Sequence, residues 1–250
     1  MTKLHSIALA SRVALFLLLL PIALILLKWH WQSDTHYPGL GVFFMITQTV
    51  SQPWGIVSTL IILIVLTLRL GGTINQKMRA ITACLLVVVM GQLTGLIIKP
   101  IVNEPRPFVS ELNKSEPYLA GCDPQQCLAR LRTSVLERAD IADWQRQHWL
   151  ANLNGAFPSG HSLFASGFAI WILLLLWPHR CYVLCSLTLC WAIAVFWSRL
   201  VLGMHWPWDV IASVIISWLL TALVLTVYTP IPASGPPKYH ENERSDAKSK

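Results

Sequence analysis

Charge is what this sequence has least of. Asp, Glu, Lys and Arg together make up 12% of its 250 residues, about half of what a soluble domain carries. Between residues 35 and 68 none of the four occurs. That scarcity excludes an ordinary soluble domain. Cysteine is also sparse. Six residues scattered over the chain are too few for a disulfide scaffold, and neither a zinc-ligand spacing nor a C-x-x-C pair appears. No internal repeat is visible, and no small-residue cleavage site follows the first apolar run, so that run reads as a retained span rather than a removed leader.

What fills the chain instead is apolar sequence, 54% of all residues. Twelve tryptophans accompany it, several flanking the apolar runs (Trp29, Trp31, Trp54, Trp177, Trp197, Trp206), as expected of residues that gather at a membrane–water interface. The formal charge of +7 fits basic residues at helix ends. No basic patch with interleaved aromatics stands clear of the spans, so nucleic acid is not an expected partner. The expected partner is the membrane itself, while the oligomeric state stays open.

A bilayer is crossed by roughly 20 apolar residues in a helix. The sequence predicts six such spans: 13–27, 54 to about 70, 80–98, 162–177, 181–197 and 210–228. Residues 40–50 are ambiguous, either an interfacial helix or an early extension of span two. The expected fold is therefore all-α: a six-span transmembrane bundle with a mainly helical extracytoplasmic insert, about 105–157, between spans three and four. Within the insert, Asp123-Pro124 reads as a helix start, and that helix is expected to run towards Trp149. Residues 1–229 form the membrane domain, and 230–250, Pro-rich and then mixed in charge, form a disordered tail.

An even number of spans puts both termini on one side. Lys3, Arg12, the basic loop from Arg69 to Arg79, Arg180 and the tail lysines and arginine then share that side, which the bias of basic residues makes cytoplasmic. Parity also brings three separate sequence clusters to the opposite face. Lys99 ends span three, with Arg106 held between Pro105 and Pro107. Phe157-Pro158-Ser159-Gly160-His161 opens span four. Ser198-Arg199 to His205 and Asp209 joins spans five and six, with Pro207 suited to the first turn of the last helix.

Each cluster alone also suits a plain helix end: snorkelling cations, a capping Ser, an interfacial His. Together they supply three cations, a hydroxyl, two imidazoles and one carboxylate. Asp209, one turn beyond His205 on the same helix face, can hold one imidazole nitrogen and leave the other as nucleophile or base. Ser159 and the helix start at Gly160 favour an anion, and an arginine fork suits phosphate oxygens. Three nearby cations would repel a divalent ion, so neither a metal nor another cofactor is expected. The residues alone do not choose which histidine attacks.

The three clusters, Lys-x6-Arg-Pro, Pro-Ser-Gly-His and Ser-Arg-x3-Gly-x-His-x3-Asp, taken in this order, resemble the signature of the type 2 phosphatidic acid phosphatase superfamily, the lipid phosphate phosphatases. The resemblance implies a membrane phosphatase in which His205 forms a phosphohistidine, Asp209 orients it and His161 protonates the leaving alkoxide. Lys99, Arg106, Ser159, Gly160 and Arg199 would bind the phosphoryl oxygens. Implied substrates are phosphatidylglycerol phosphate, phosphatidic acid and undecaprenyl pyrophosphate, met at the periplasmic face of a bacterial inner membrane. A phosphotransferase passing the same phosphoryl group to an acceptor hydroxyl, or a non-catalytic carrier of anionic lipid, are the alternatives.

Cys122 and Cys127 stand apart from this chemistry. With Asp123 as N-cap they occupy the two positions of a hydrophobic staple, in a segment expected outside the cytoplasm, where disulfides persist. They are expected to be bonded.

Overall fold

The computed structural model describes residues 2–32, 39–115 and 123–228, and these are helical with no strand among them. Five helices are long and apolar enough to cross a membrane. In the numbering used below they are α1 (Lys3–Leu26), α4 (Ile74–Val102), α8 (Gly160–Leu176), α9 (Tyr182–Val201) and α10 (Pro207–Val227). The multi-pass, all-α expectation therefore holds.

The expected second span, 54 to about 70, forms a helix with those bounds, but the helix is short for a full crossing. Helix α3 (Trp54–Arg69) has 16 residues, about 24 Å at the rise of an α-helix, against a hydrocarbon thickness of roughly 30 Å. The ambiguous stretch before it forms a separate helix, α2 (Leu40–Gln48), and residues 49–53 break the two apart. Other boundaries also move. Helix α4 is capped by a reciprocal pair, Gln76 N–H to Thr73 Oγ1 at 3.4 Å and Thr73 N–H to Gln76 Oε1 at 2.9 Å, so it starts six residues before the apolar run. It continues through Pro100 and ends at Asn103 in left-handed conformation, φ 43°. Lys99 is thus inside its last turn.

The insert holds three helices, α5 (Pro107–Ser115), α6 (Pro124–Glu137) and α7 (Asp143–Leu150). Asp123 caps α6 as expected, its Oδ1 accepting from Gln125 N and Gln126 N at 3.0 Å each. The helix does not reach Trp149 in one piece. It stops at Glu137, where Arg138 turns to Asp140 with bonds of 2.6 and 2.5 Å and Arg146 reaches back to the Arg138 carbonyl at 2.8 Å. Cys127 is disulfide-bonded; Cys122, its expected partner, and the tail 230–250 lie outside the described residues.

Helix α8 is the axis of the bundle. It is apolar all round, as a helix enclosed by others must be, and it packs against α1, α4, α9 and α10. Two devices set its register. A serine seam faces α10: Ser213 Oγ donates to the Ser159 carbonyl at 3.0 Å, and Ser166 Oγ to Ser217 Oγ at 2.8 Å. Such bonds hold helices together where water is absent, at about 0.6 kcal/mol each. On the other side, Gly91 and Gly95 of α4 admit Leu163. A Cβ added at Gly95 would stand 3.1 Å from Leu163 Cδ1.

Gly95→Val is expected to force α4 away from α8, destabilising the fold by about 1–3 kcal/mol through overpacking. Thermal denaturation in detergent reads that loss, whereas Gly95→Ala, which needs only a shift of the Leu163 tip, is expected to stay near the parent value.

Candidate active site

The junction of α9 and α10 is built around one turn. Met204 N and His205 N both bond to the Arg199 carbonyl, at 3.0 and 3.2 Å, after Gly203 at φ +71°. Only glycine fits there, because an added Cβ would lie 2.7 Å from the Trp31 ring. Helix α10 then starts at Pro207, and Asp209 Oδ2 accepts from Trp206 N at 2.8 Å. The same oxygen lies 3.2 Å from His205 Nδ1.

The tautomer of His205 follows from its other neighbour. Arg106 Nη1 is 3.3 Å from His205 Nε2, and a guanidinium only donates, so Nε2 is the lone-pair nitrogen and Nδ1 carries the proton towards Asp209. Arg106 itself is held on all sides. Nε donates to the Asn154 carbonyl at 3.0 Å, Nη2 to Asn154 Oδ1 at 2.7 Å and Nη1 to the Met204 carbonyl at 2.9 Å.

The remaining expected residues converge on this pair. Ser159 N bonds to the Asp209 carbonyl at 3.5 Å, placing the start of α8 beside the start of α10. Ser159 Oγ accepts from Ser162 N and Ser162 Oγ, at 3.3 and 2.9 Å, so its own hydrogen stays available to donate. The N–H of Gly160 belongs to the first turn of α8, where amides are free for an anion. Lys99 Nζ donates to the Gly155 and Ala156 carbonyls at 3.0 and 3.5 Å. Arg199 Nη1 donates to Thr47 Oγ1 at 2.8 Å and to His148 Nε2 at 3.3 Å. Lys99, Arg106, Arg199 and His161 all act electrostatically on His205.

Burial makes this cluster consequential. Arg199 and Asp209 are 0% exposed, His205 2% and Arg106 3%. Burial, followed by Arg106, Arg199 and Lys99, holds the His205 imidazole well below its ordinary 6.5. A neutral imidazole keeps a lone pair on Nε2, and here that lone pair faces a cluster of cations suited to an anion. His148, in the insert, is pushed down to about 3 by burial and then by Arg199 and Arg106.

Four partners of the site escaped sequence reasoning: Asn154, Thr47, His148 and Ser51, whose Oγ lies 2.9 Å from His161 Nε2. The signal for two of them was there. Thr47, Gln48, Thr49, Ser51 and Gln52 crowd polar groups into a stretch otherwise free of charge. Asn154 and His148 carried no such mark.

A PAP2 superfamily profile matches residues 80–231, which contain all three clusters. The chain belongs to the PAP2 superfamily. Among curated relatives, phosphatidylglycerophosphatase B of Escherichia coli (strain K12) is 35% identical over 216 residues, covering 84% of each chain. The Haemophilus influenzae phosphatidylglycerophosphatase B is 23% identical over 227 residues, 86% of this chain and 92% of that one. Undecaprenyl-diphosphatase of Sulfolobus acidocaldarius is 37% identical over 83 residues, 33% of this chain and 36% of its own. For this PAP2 protein the match rests on more than the motifs, since the E. coli alignment extends well beyond them.

The two depressed imidazoles set a pH dependence. Unfolded, His148 and His205 take up protons near pH 6.5; folded, they resist. Below pH 6.5 the unfolded chain therefore binds more protons, so stability falls as pH is lowered, and above pH 6.5 this contribution is flat. The apparent Tm in detergent is expected to drop between pH 6.5 and 4.5. His148→Gln, which keeps an acceptor for Arg199, is expected to make that drop smaller.

Proposed function

We propose that this chain hydrolyses lipid phosphates through a phosphohistidine on His205. The observation that carries the reading is the line Asp209 Oδ2, His205 Nδ1, His205 Nε2, Arg106 Nη1, with spacings of 3.2 and 3.3 Å at its two contacts. It presents a neutral nucleophile to a phosphate-binding fork. The His205 lone pair forms the N–P bond while the ester P–O bond breaks, and His161 gives its proton to the departing alkoxide. Water then attacks phosphorus, the N–P bond breaks and His161 takes the water proton. Asp209 balances the positive charge of the phosphorylated ring. Lys99, Arg106, Arg199, Ser159 and the Gly160 N–H stabilise charge on the phosphoryl oxygens, the largest kind of contribution in phosphoryl transfer.

Superfamily membership and the names of the relatives support phosphatidylglycerol phosphate, phosphatidic acid and undecaprenyl pyrophosphate as substrates. We place the enzyme in a bacterial inner membrane, with α2 and α3 together making the second of six crossings. On that topology the termini and the tail 230–250 are cytoplasmic, the insert and site periplasmic, and Cys122 and Cys127 are bonded in an oxidising compartment. The chemistry needs no metal, because side-chain cations meet the phosphate.

His205→Ala is expected to abolish phosphate release and phosphoenzyme labelling, whereas His161→Ala slows both steps but still labels with an activated leaving group. Labelling of the His205→Ala protein equal to the parent would overturn the assignment. Activity is also expected to survive EDTA; a loss restored by magnesium would mean that a metal shares the site.

A further inference from the structure

Helix α2 and the turn after it lie outside the family match, residues 80–231, yet three of their side chains touch residues of the site. Phe44, Thr47 and Ser51 recur at the spacing of one helix face. The Phe44 ring stands edge-on to His148, with centroids 5.4 Å apart. Thr47 Oγ1 meets Arg199, and Ser51 Oγ meets His161. The segment is itself tied down, because α2 packs along α9 and Trp191 Nε1 donates to Thr49 Oγ1 at 3.0 Å.

What Thr47 does follows from the donors of Arg199. A guanidinium has five N–H groups. Both hydrogens of Nη1 are occupied, by Thr47 Oγ1 at 2.8 Å and His148 Nε2 at 3.3 Å. His148 can accept because burial, Arg199 and Arg106 keep it neutral. Nε–H is buried without a partner, and among the described residues Nη2 makes no hydrogen bond. Nε and Nη2 share one edge of the planar group. The protein therefore holds one corner of the guanidinium and leaves the other edge as a paired donor, which matches phosphate oxygens. Arg199 is fully buried and its charge acts on both His205 and His161. A donor left open in such a place calls for an oxygen of the ligand.

Ser51 acts on the other side of the reaction. Its Oγ donates its one hydrogen to the Thr47 carbonyl at 3.2 Å, so towards His161 Nε2, 2.9 Å away, it is an acceptor. The ring thus keeps a proton on Nε2 whether it is neutral or charged, and its other nitrogen, Nδ1, is the one that exchanges.

We propose that Thr47 and Ser51 are positioning residues: Thr47, with His148, sets the Nε–Nη2 edge of Arg199 for the phosphoryl group, and Ser51 holds His161 by Nε2 so that Nδ1 gives its proton to the leaving oxygen and later takes one from water. The proposal rests on the phosphatase reading and adds a fourth segment to the three clusters. Neither hydroxyl touches the phosphoryl group; each acts through its partner. Because the partners have different tasks, the two effects separate. Thr47 governs how phosphate is held, and Ser51 governs how the leaving group departs.

The test uses purified full-length protein in detergent with three probes. Phosphatidic acid has an alkoxide that needs an acid to leave, p-nitrophenyl phosphate has a phenolate that does not, and inorganic phosphate serves as competitive inhibitor. Thr47→Val is expected to raise the inhibition constant of phosphate and the KM of both substrates about tenfold, the scale of a hydrogen bond to a charged group. Thr47→Ser, which keeps the hydroxyl, is expected to recover most of that loss. Ser51→Ala is expected to lower kcat about tenfold on phosphatidic acid and about twofold or less on p-nitrophenyl phosphate, with phosphate inhibition unchanged. Ser51→Thr is expected to recover the rate, since Ser51 lines a cavity of about 400 Å³ with room for a methyl group. Equal losses on all three probes in both variants overturn the proposal, as do hydroxyl-keeping variants no better than those without it. A variant that loses nothing removes its residue from the proposal. The comparison of leaving groups in Ser51→Ala stands even where Thr47→Val fails to fold. Undiminished phosphate release by His205→Ala overturns the phosphatase reading instead.

Discussion

Burying cations at the end of an apolar bundle is the constraint to which the rest of this structure answers. Arg106 and Arg199 are almost wholly shielded from water, and only one carboxylate, Asp209, is buried with them among the described residues. A desolvated charge is tolerable only when its donors are occupied. The chain occupies most of them with neutral acceptors: carbonyls of Asn154 and Met204 around Arg106, carbonyls of Gly155 and Ala156 at Lys99, and a hydroxyl and an imidazole at Arg199 Nη1, whose Nε is left without a partner. Neutral acceptors fix the cations in place without cancelling their charge. The field of the cations therefore remains uncancelled.

Much of this was legible in the sequence where a charge or proline interrupts an apolar run. Lys99, Arg106, Arg199 and Asp209 stand out against such a background because the bilayer tolerates them so poorly. The spacing of His205 and Asp209 gave their contact directly. Less legible were the groups whose presence costs little. Thr47 and Ser51 were marked only by the polar crowding around them, and Asn154 is an ordinary polar residue whose importance comes from whom it touches, which no local pattern records. His148 sits in the insert, far along the chain from Arg199, and only the folding of α7 back over the junction makes them neighbours.

The helix boundaries shifted for a related reason. Apolar runs mark where lipid or core is met, whereas hydrogen-bond caps mark where helices begin. At α4 these differ, because Thr73 and Gln76 close a capping box ahead of the apolar run. Between α2 and α3 charge stays absent while the helix stops in a polar stretch, so hydropathy alone left 40–50 open. Ser51 in that break meets His161, and Thr47 at the end of α2 meets Arg199.

The contact between Arg106 Nη1 and His205 Nε2 has a kinetic meaning as well as a geometric one. On the proposed mechanism this hydrogen bond has to open before His205 can attack, because the lone pair cannot face both the guanidinium and phosphorus. The natural place for the freed N–H is a phosphoryl oxygen, so the group that covers the imidazole at rest would be the one that steadies the anion during reaction.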